Sequence, residues 1–183
     1  MAAADGQILH DSFFRHQGWD PHANTLPRLL VQNNVTGCTC LINAALRRLV
    51  VQHAQPEQIF MHDWFIALTA AAFGRIVFVD EPLLDYRQHG TNVLGASRHG
   101  LIRRGVAALR TPTKARERIR LTYRQARAFR DMFAAALPTG SAAIIDGYLA
   151  TESLPKPQRI AALRRGGYLM QSRITRIGQM MLG

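Results

Sequence analysis

The chain has 183 residues, 48% of them hydrophobic, and a formal net charge of +11 at pH 7. This length suits one domain, or a small domain with an appendage, and the apolar content suffices for a hydrophobic core. No apolar run approaches the roughly 20 residues of a membrane-spanning helix, and the first nine residues do not resemble a signal peptide. We therefore expect a soluble or peripheral protein.

The positive charge is confined to the second half of the chain. Residues 1–95 contain 6 Lys and Arg against 8 Asp and Glu, whereas residues 96–183 contain 17 against 4. Such asymmetry is typical of a basic appendage that faces an anionic surface. It predicts a division near residue 96, with one unit at 1–96 and a basic helical extension at 97–183.

Only two cysteines occur, Cys38 and Cys40. A disulfide framework would need more cysteines, and a zinc site would need further Cys or His at ligand spacing. We predict two reduced, half-buried thiols that serve in packing, as is usual in a cytosolic protein.

The first half opens with short helical pieces, and Asn and Gly then mark a loop at residues 33–39. Apolar spacing predicts a helix over 41–51. Residues 64–73 are apolar on nearly every side, which is typical of a buried helix, and Gly74 predicts its end. The β-branched and aromatic residues 76–79 predict a short buried strand.

A second strand is predicted at 83–87, before a polar loop. Short strands among buried helices indicate an α/β fold class for this half. The second half is predominantly α-helical. Apolar residues at three- and four-residue steps predict a helix over 119–137, and shorter helices follow at 142–151, 155–165 and 168–182.

Asp63 is the first candidate for chemistry, because it stands where the buried helix begins. A carboxylate there can cap the helix by accepting backbone N–H bonds. It can also act as a general base that takes the proton from an attacking hydroxyl. The two roles are compatible, since a cap also fixes the direction of the carboxylate.

Two further groups of polar residues have both an ordinary and a functional interpretation. Arg87 and His89 follow the second predicted strand and could face one anionic group, with the Arg as a forked donor and the His as a donor or metal ligand. They could equally be incidental loop residues. The polar residues of the 33–39 loop either make ordinary turns or offer amides to sugar hydroxyls; they are Asn33, Asn34, Thr36 and Gly37.

The basic second half predicts binding to a polyanion, because its excess charge is larger than solubility requires. Amphipathic helices with Leu, Ile and Met opposite Arg favour an anionic membrane surface. Nucleic acid is disfavoured, since aromatic residues are few there and no known nucleic-acid-binding module is visible.

Five motifs, taken in order, resemble bacterial family 2 glycosyltransferases of the rhamnosyltransferase-like group that builds polysaccharides. The resemblance covers about residues 26–96, and the tail resembles the helical extension of the same proteins. The motifs are Asn34-Val35-Thr36-Gly37-Cys38-Thr39, His62-Asp63-Trp64, Gly74-Arg75-Ile76-Val77-Phe78, Glu81-Pro82-Leu83-Leu84-Asp85-Tyr86-Arg87-Gln88-His89-Gly90 and Asn92-Val93-Leu94-Gly95.

The resemblance implies a partial GT-A-type domain, a nucleotide-sugar donor such as dTDP-rhamnose, a glycan acceptor and a divalent metal (Mg or Mn). Asp63 matches the catalytic base, and Arg87 and His89 match positions near the donor diphosphate, with His89 a candidate metal ligand. The acceptor-side matches are Asn34, Thr36, Gly37, His62 and Trp64.

The sequence departs from the family by lacking its nucleotide- and metal-binding half. Asp5, Asp11 and Asp20 are isolated, and no Asp-x-Asp-type motif follows a hydrophobic strand. Without such carboxylates a hard divalent cation has no oxygen site. We therefore expect the chain to be inactive alone, as a truncated product or one half of a split enzyme.

The sequence leaves three functions open. The leading one is the acceptor and catalytic-base part of an inverting glycosyltransferase, cytoplasmic and peripheral on the inner face of the plasma membrane. The second is a non-catalytic module that docks on anionic lipid or a partner through its basic helices. The third, nucleic-acid binding, rests on charge alone.

Overall fold

The regular structure of the described residues is helical. In the computed structural model, residues 7–85 and 112–182 are described. Their α-helices are α1 (Phe13–Gln17), α2 (Leu26–Val31), α3 (Ala44–His53), α4 (His62–Phe73), α5 (Pro112–Met132), α6 (Thr139–Ala150), α7 (Lys156–Arg165) and α8 (Arg173–Leu182). Single 3-10 turns lie at Gly37–Thr39, Pro56–Gln58 and Thr151–Ser153.

Polar side chains start two of the early helices. Ser12 Oγ accepts the backbone N–H of Arg15 at 3.4 Å at the start of α1, and Asn43 Oδ1 accepts that of Leu46 at 2.8 Å at the start of α3. Such caps satisfy N–H groups that have no partner inside the helix. α1 ends after one turn at Gly18, whose φ of 63° suits glycine.

The hydrophobic core lies among α2, α4, α5 and α6, and it draws residues from both sides of residue 96. The predicted boundary near 96 itself lies outside the described residues, but the described parts of both segments share this core. Its largest fully buried members are Tyr148, Phe65, Phe129, Phe133, Leu29, Leu30, Leu68 and Ile145.

An aromatic cluster joins α4 to α5. The ring of Phe65 lies 5.7 Å from that of Phe129 and 5.8 Å from that of Phe133, and Phe73 lies 5.1 Å from Phe133. Offset and edge-to-face pairs of this kind stabilise a core beyond the area they bury. The cluster therefore links the predicted buried helix to the long basic helix.

A pair of tyrosines joins α5 to α6. Tyr123 and Tyr148 stack with their ring centres 4.6 Å apart. Their hydroxyls are satisfied by threonines, since Tyr148 pairs with Thr122 at 2.6 Å and Tyr123 with Thr151 at 2.9 Å. Burial raises the pKa of Tyr148 well above its usual value, so both the packing and the hydrogen bonds belong to the protonated phenol.

The predicted α/β fold class is wrong for the part of the chain that the structure describes, because that part contains no strand or sheet. Residues 76–79 have no regular secondary structure, and Val77 and Val79 are 70% and 54% exposed rather than buried. A strand needs a neighbour to pair its backbone groups. The described residues offer none, so β-branched composition alone did not produce a strand.

The inward side chains of this irregular segment pack on the N-terminal region instead. The ring of Phe78 lies 5.1 Å from that of Phe14, and Asn24 Nδ2 donates to the carbonyl of Ile76 at 3.2 Å. Of the second predicted strand, residues 83–85 are irregular and exposed, and residues 86 and 87 lie outside the described residues.

The helix predictions fare better. The buried helix over 64–73 is confirmed as α4, and it ends before Gly74 as predicted. The spacing predicted for 119–137 is confirmed by the burial of Ile119, Tyr123, Ala126, Phe129, Met132 and Phe133. The helix ends at Met132, five residues early, and turns follow. None of the helices in the described ranges combines the length and apolar character needed to cross a bilayer.

The shared core makes a testable prediction for Phe65→Ala. Phe65 is 1% exposed, so its truncation should lower the free energy of unfolding by about 3–5 kcal/mol. Urea denaturation followed by circular dichroism measures this, and the change should move one cooperative transition. The exposed control Val77→Ala should stay within about 0.5 kcal/mol of wild type. Two separate transitions would contradict a shared core.

Candidate functional site

The carboxylate of Asp63 lies in the first turn of α4 and is 8% exposed. Its Oδ1 accepts from the backbone N–H of Trp64 at 2.7 Å and from Asn33 Nδ2 at 3.1 Å. Its Oδ2 accepts from the backbone N–H of Gly37 at 3.3 Å. Asp63 thus ties the loop at residues 33–37 to the start of α4, where the helix dipole also favours an anion.

The loop is shaped by Asn33. Asn33 Oδ1 accepts from the N–H of Val35 at 3.0 Å, and its Nδ2 donates to the carbonyl of Val35 at 3.1 Å as well as to Asp63. This is the local side-chain bonding typical of asparagine in turns. The ordinary interpretation of the loop therefore holds for Asn33, and the same contacts set the direction of the Asp63 carboxylate.

Two of the predicted acceptor-side residues point into the fold. Asn34 is 2% exposed and donates to the backbone carbonyls of Asp20 at 3.3 Å and Ala23 at 3.2 Å. Trp64 is 4% exposed and donates from Nε1 to the carbonyl of Leu29 at 2.6 Å. Both side chains hold neighbouring segments in place, so they position the surface around Asp63.

The other predicted acceptor-side residues lie at the surface beside Asp63. His62 is exposed, and Thr36 and Gly37 are half-buried. A Cβ atom on Gly37 would stand 2.6 Å from His62 Nε2 and 3.5 Å from the Cβ of Asp63. The absence of a side chain at residue 37 therefore lets the loop approach the His62 ring. We define the candidate site as Thr36, Gly37, His62 and Asp63.

Cys40 also lies near this site, three residues after Gly37, although no motif marked it as a functional residue. Its Sγ donates to the carbonyl of Thr36 at 3.3 Å. Burial raises the pKa of the Cys40 thiol, and the nearby charges of Asp63 and Cys38 add to the rise. Both cysteines are free. Cys40 is half-buried as predicted, whereas Cys38 is exposed.

The donor-side predictions are not tested by these contacts. Arg87 and His89 lie outside the described residues, so their proposed roles at a diphosphate stay predictions. No group of three or more His, Cys, Asp or Glu side chains is gathered for a metal within the described ranges. The described residues around Asp63 do not fit Mg²⁺ or Mn²⁺, which take several oxygen ligands.

The effect of the Asp63 charge on the Cys40 thiol predicts the pH dependence of thiol alkylation. Because the pKa of Cys40 is raised, its thiolate should form only at a higher pH than the thiolate of an ordinary cysteine. Iodoacetamide, which reacts with the thiolate, should therefore alkylate Cys40 only at that higher pH. Asp63→Asn removes a negative charge, so the alkylation profile of Cys40 should move to lower pH. Mass spectrometry of each peptide measures this.

The exposed residue Asp80 provides the control, because Asp80→Asn removes one negative charge that is not among those acting on the Cys40 thiol. Its alkylation profile should match wild type. An unchanged profile in Asp63→Asn would show that the carboxylate does not act on the thiol.

Comparison with known proteins returns no match. No protein-family model matches the chain, and neither a curated protein nor a solved structure matches it. The resemblance to family 2 glycosyltransferases therefore stays a prediction from the motifs.

Proposed function

We propose that this chain supplies the catalytic base and the acceptor side of an inverting glycosyltransferase. The enzyme would move a sugar from a nucleotide-sugar, such as dTDP-rhamnose, to a polysaccharide or lipid-linked glycan. The observation that carries the proposal is the Asp63 carboxylate, which is 8% exposed and oriented from both oxygens by backbone and amide donors.

The chemistry needs one carboxylate beside the acceptor. The acceptor hydroxyl attacks the anomeric carbon of the donor sugar, the new C–O bond forms, and the bond to the diphosphate breaks with its electron pair leaving on the diphosphate. The hydroxyl proton goes to Asp63. Oδ2 is suited to receive it, because it accepts a single hydrogen bond in the described structure, from Gly37 at 3.3 Å.

The surroundings of Asp63 suit a polyhydroxyl acceptor. His62 is exposed beside Gly37, and an imidazole can donate to or accept from a sugar hydroxyl. The fixed loop and the buried start of α4 hold the base in one direction, which lowers the entropic part of the barrier. These features support the acceptor side of the reaction. The donor side rests on the resemblance alone.

Asp63→Asn should abolish product formation while keeping the chain folded. Asn retains an acceptor for the Trp64 and Asn33 donors and removes the basic group, and loss of a general base costs about 10²–10⁴-fold in rate. The test is gene deletion in the native host, complementation with wild type or Asp63→Asn, and mass spectrometry of the cell-surface glycans. Deletion should remove one sugar, and the variant should fail to restore it.

Asp80→Asn is the matched control and should restore the glycan fully, because Asp80 is exposed. Immunoblots check that all variants accumulate equally. Full restoration by Asp63→Asn would mark the carboxylate as a structural tie, and unchanged glycans after deletion would contradict the proposed function. We expect the purified chain to transfer no sugar from nucleotide-sugars with added Mn²⁺, and turnover would overturn that expectation.

We also propose that the basic helices hold the protein on the anionic inner face of the plasma membrane. The observation that favours this is the row of exposed arginines at four-residue steps on α5, Arg116, Arg120 and Arg124. Residues at this spacing share one helix face. On α8, the exposed Ile177 and Met181 add an apolar pair at the same spacing. The same surface supports a competing function, in which the chain is a non-catalytic module that docks on an anionic membrane or a partner through its basic helices.

Sedimentation with vesicles tests the membrane proposal. The chain should sediment with phosphatidylserine-containing vesicles and not with neutral ones. The double variant Arg116→Gln/Arg120→Gln should bind about 10–30-fold more weakly, because each arginine contributes about 1 kcal/mol near an anionic surface. Arg47→Gln/Arg48→Gln on α3 is the control of equal charge and should bind nearly as wild type. The membrane proposal would be contradicted if the chain bound anionic and neutral vesicles equally, or if it bound no vesicles and was retained on DNA in a salt-sensitive way.

A further inference from the structure

A groove of about 560 Å³ lies between the segment at residues 57–60 and the outer face of α5. Its α5 wall includes Arg124, Gln125, Arg127 and Asp131. Sequence motifs identified none of these residues as part of a site. The volume falls within the range of small-molecule sites, about 300–1,000 Å³.

An unsatisfied donor lies in the wall of the groove. Gln125 is 2% exposed, and its Oε1 accepts the backbone N–H of Phe60 at 3.1 Å. That bond fixes which end of the amide is the oxygen, so the other end is the donor Nε2. Nε2 is buried and finds no acceptor among the described residues. Buried donors are rarely left unpaired, so Gln125 is a lining residue of the groove whose hydrogen-bonding capacity is not fully used.

An exposed aromatic ring lies on the opposite wall. Phe60 is 55% exposed and belongs to the groove lining. The hydrogen bond from its backbone N–H to Gln125 Oε1 fixes the main chain from which the ring projects. The C–H face of a pyranose ring can pack on such a ring while its hydroxyls reach the polar groups around it. This combination of one aromatic face with several polar groups favours a sugar.

The charges of the groove select a ligand with a single anionic group. Arg127 is paired with Glu152 at 2.6 Å, whereas Arg124 is exposed and has no ion pair among the described residues. A free guanidinium binds a carboxylate or phosphate through two parallel hydrogen bonds. Glu57 and Asp131 in the same lining accept from hydroxyls and repel a polyanion such as nucleic acid.

The groove begins close to the candidate site. Phe60 precedes Asp63 by three residues, and three residues of chain span at most about 10 Å. The Phe60 end of the groove is therefore within about 10 Å of Asp63 along the chain. We propose that this groove binds a sugar bearing one carboxylate or phosphate, as a unit of the acceptor glycan. Its role as an acceptor subsite rests on the proposed function, whereas the binding itself does not.

Nuclear magnetic resonance of the full chain tests the binding. The probes are glucuronic acid, glucose 6-phosphate, glucose, and acetate or inorganic phosphate as bare anions. Both charged sugars should shift the backbone amide of Phe60 and the side-chain amide of Gln125, glucose should do so more weakly, and the bare anions should not. Equal shifts with the bare anions would mean an anion contact only and would overturn the proposal.

Two exposed residues allow variants that should not disturb the fold. Phe60→Ala should weaken binding of all three sugars about tenfold, the equivalent of about 1.4 kcal/mol. Arg124→Gln should reduce the affinity for the charged sugars to that for glucose. The controls are Val51→Ala and Arg118→Gln, which change an exposed apolar residue and an exposed arginine that does not line the groove.

Wild-type affinity in both Phe60→Ala and Arg124→Gln would overturn the proposal. The two proposals also fail separately. If sugars bind in the groove but gene deletion changes no glycan, the groove proposal stands and the transferase proposal is rejected. If the deletion strain loses one sugar but no probe changes the chemical shifts of Phe60 or Gln125, the transferase proposal stands and the groove proposal is rejected.

Discussion

The burial of α4 is the constraint on which the rest of the site depends. Apolar side chains cover this helix on nearly every side, so it is stable only when other elements enclose it. α2 and α3 pack against it, Trp64 donates to the backbone of α2, and Phe65 reaches α5. Because α4 cannot shift without opening the core, the start of α4 is a fixed point, and Asp63 is held there.

This constraint explains why a loop can act as part of a site. Loops carry function when a rigid scaffold positions them. Here the loop at residues 33–37 has its own asparagine turn, and the carboxylate of Asp63 fastens it to α4 through Asn33 and Gly37. The structural and catalytic roles of Asp63 therefore use the same contacts. A substitution that separates the two roles has to remove the basic carboxylate and keep the shape of the side chain, as Asp63→Asn does.

Sequence patterns predicted the structure correctly where the spacing of apolar residues is compatible with only one kind of element, a buried or half-buried helix. The apolar character of 64–73 and the spacing along α5 each required burial, and both are buried. Residues 76–79 have strand composition, but a strand depends on a partner elsewhere in the chain, and the described residues provide none. The motifs named Asp63 and the residues of the 33–37 loop separately. The hydrogen bonds between them, and the burial of Asn34 and Trp64, are visible only in the structure.

The sequence by itself determined the helices in the described part of the second half, the buried helix with a carboxylate at its start, and the confinement of positive charge to residues 96–183. These follow from local periodicity and composition. Only the tertiary structure decided that Cys40 lies near Asp63 and that Phe60 meets Gln125 across 65 residues. Contacts between distant segments depend on how the helices pack, and no local pattern encodes them.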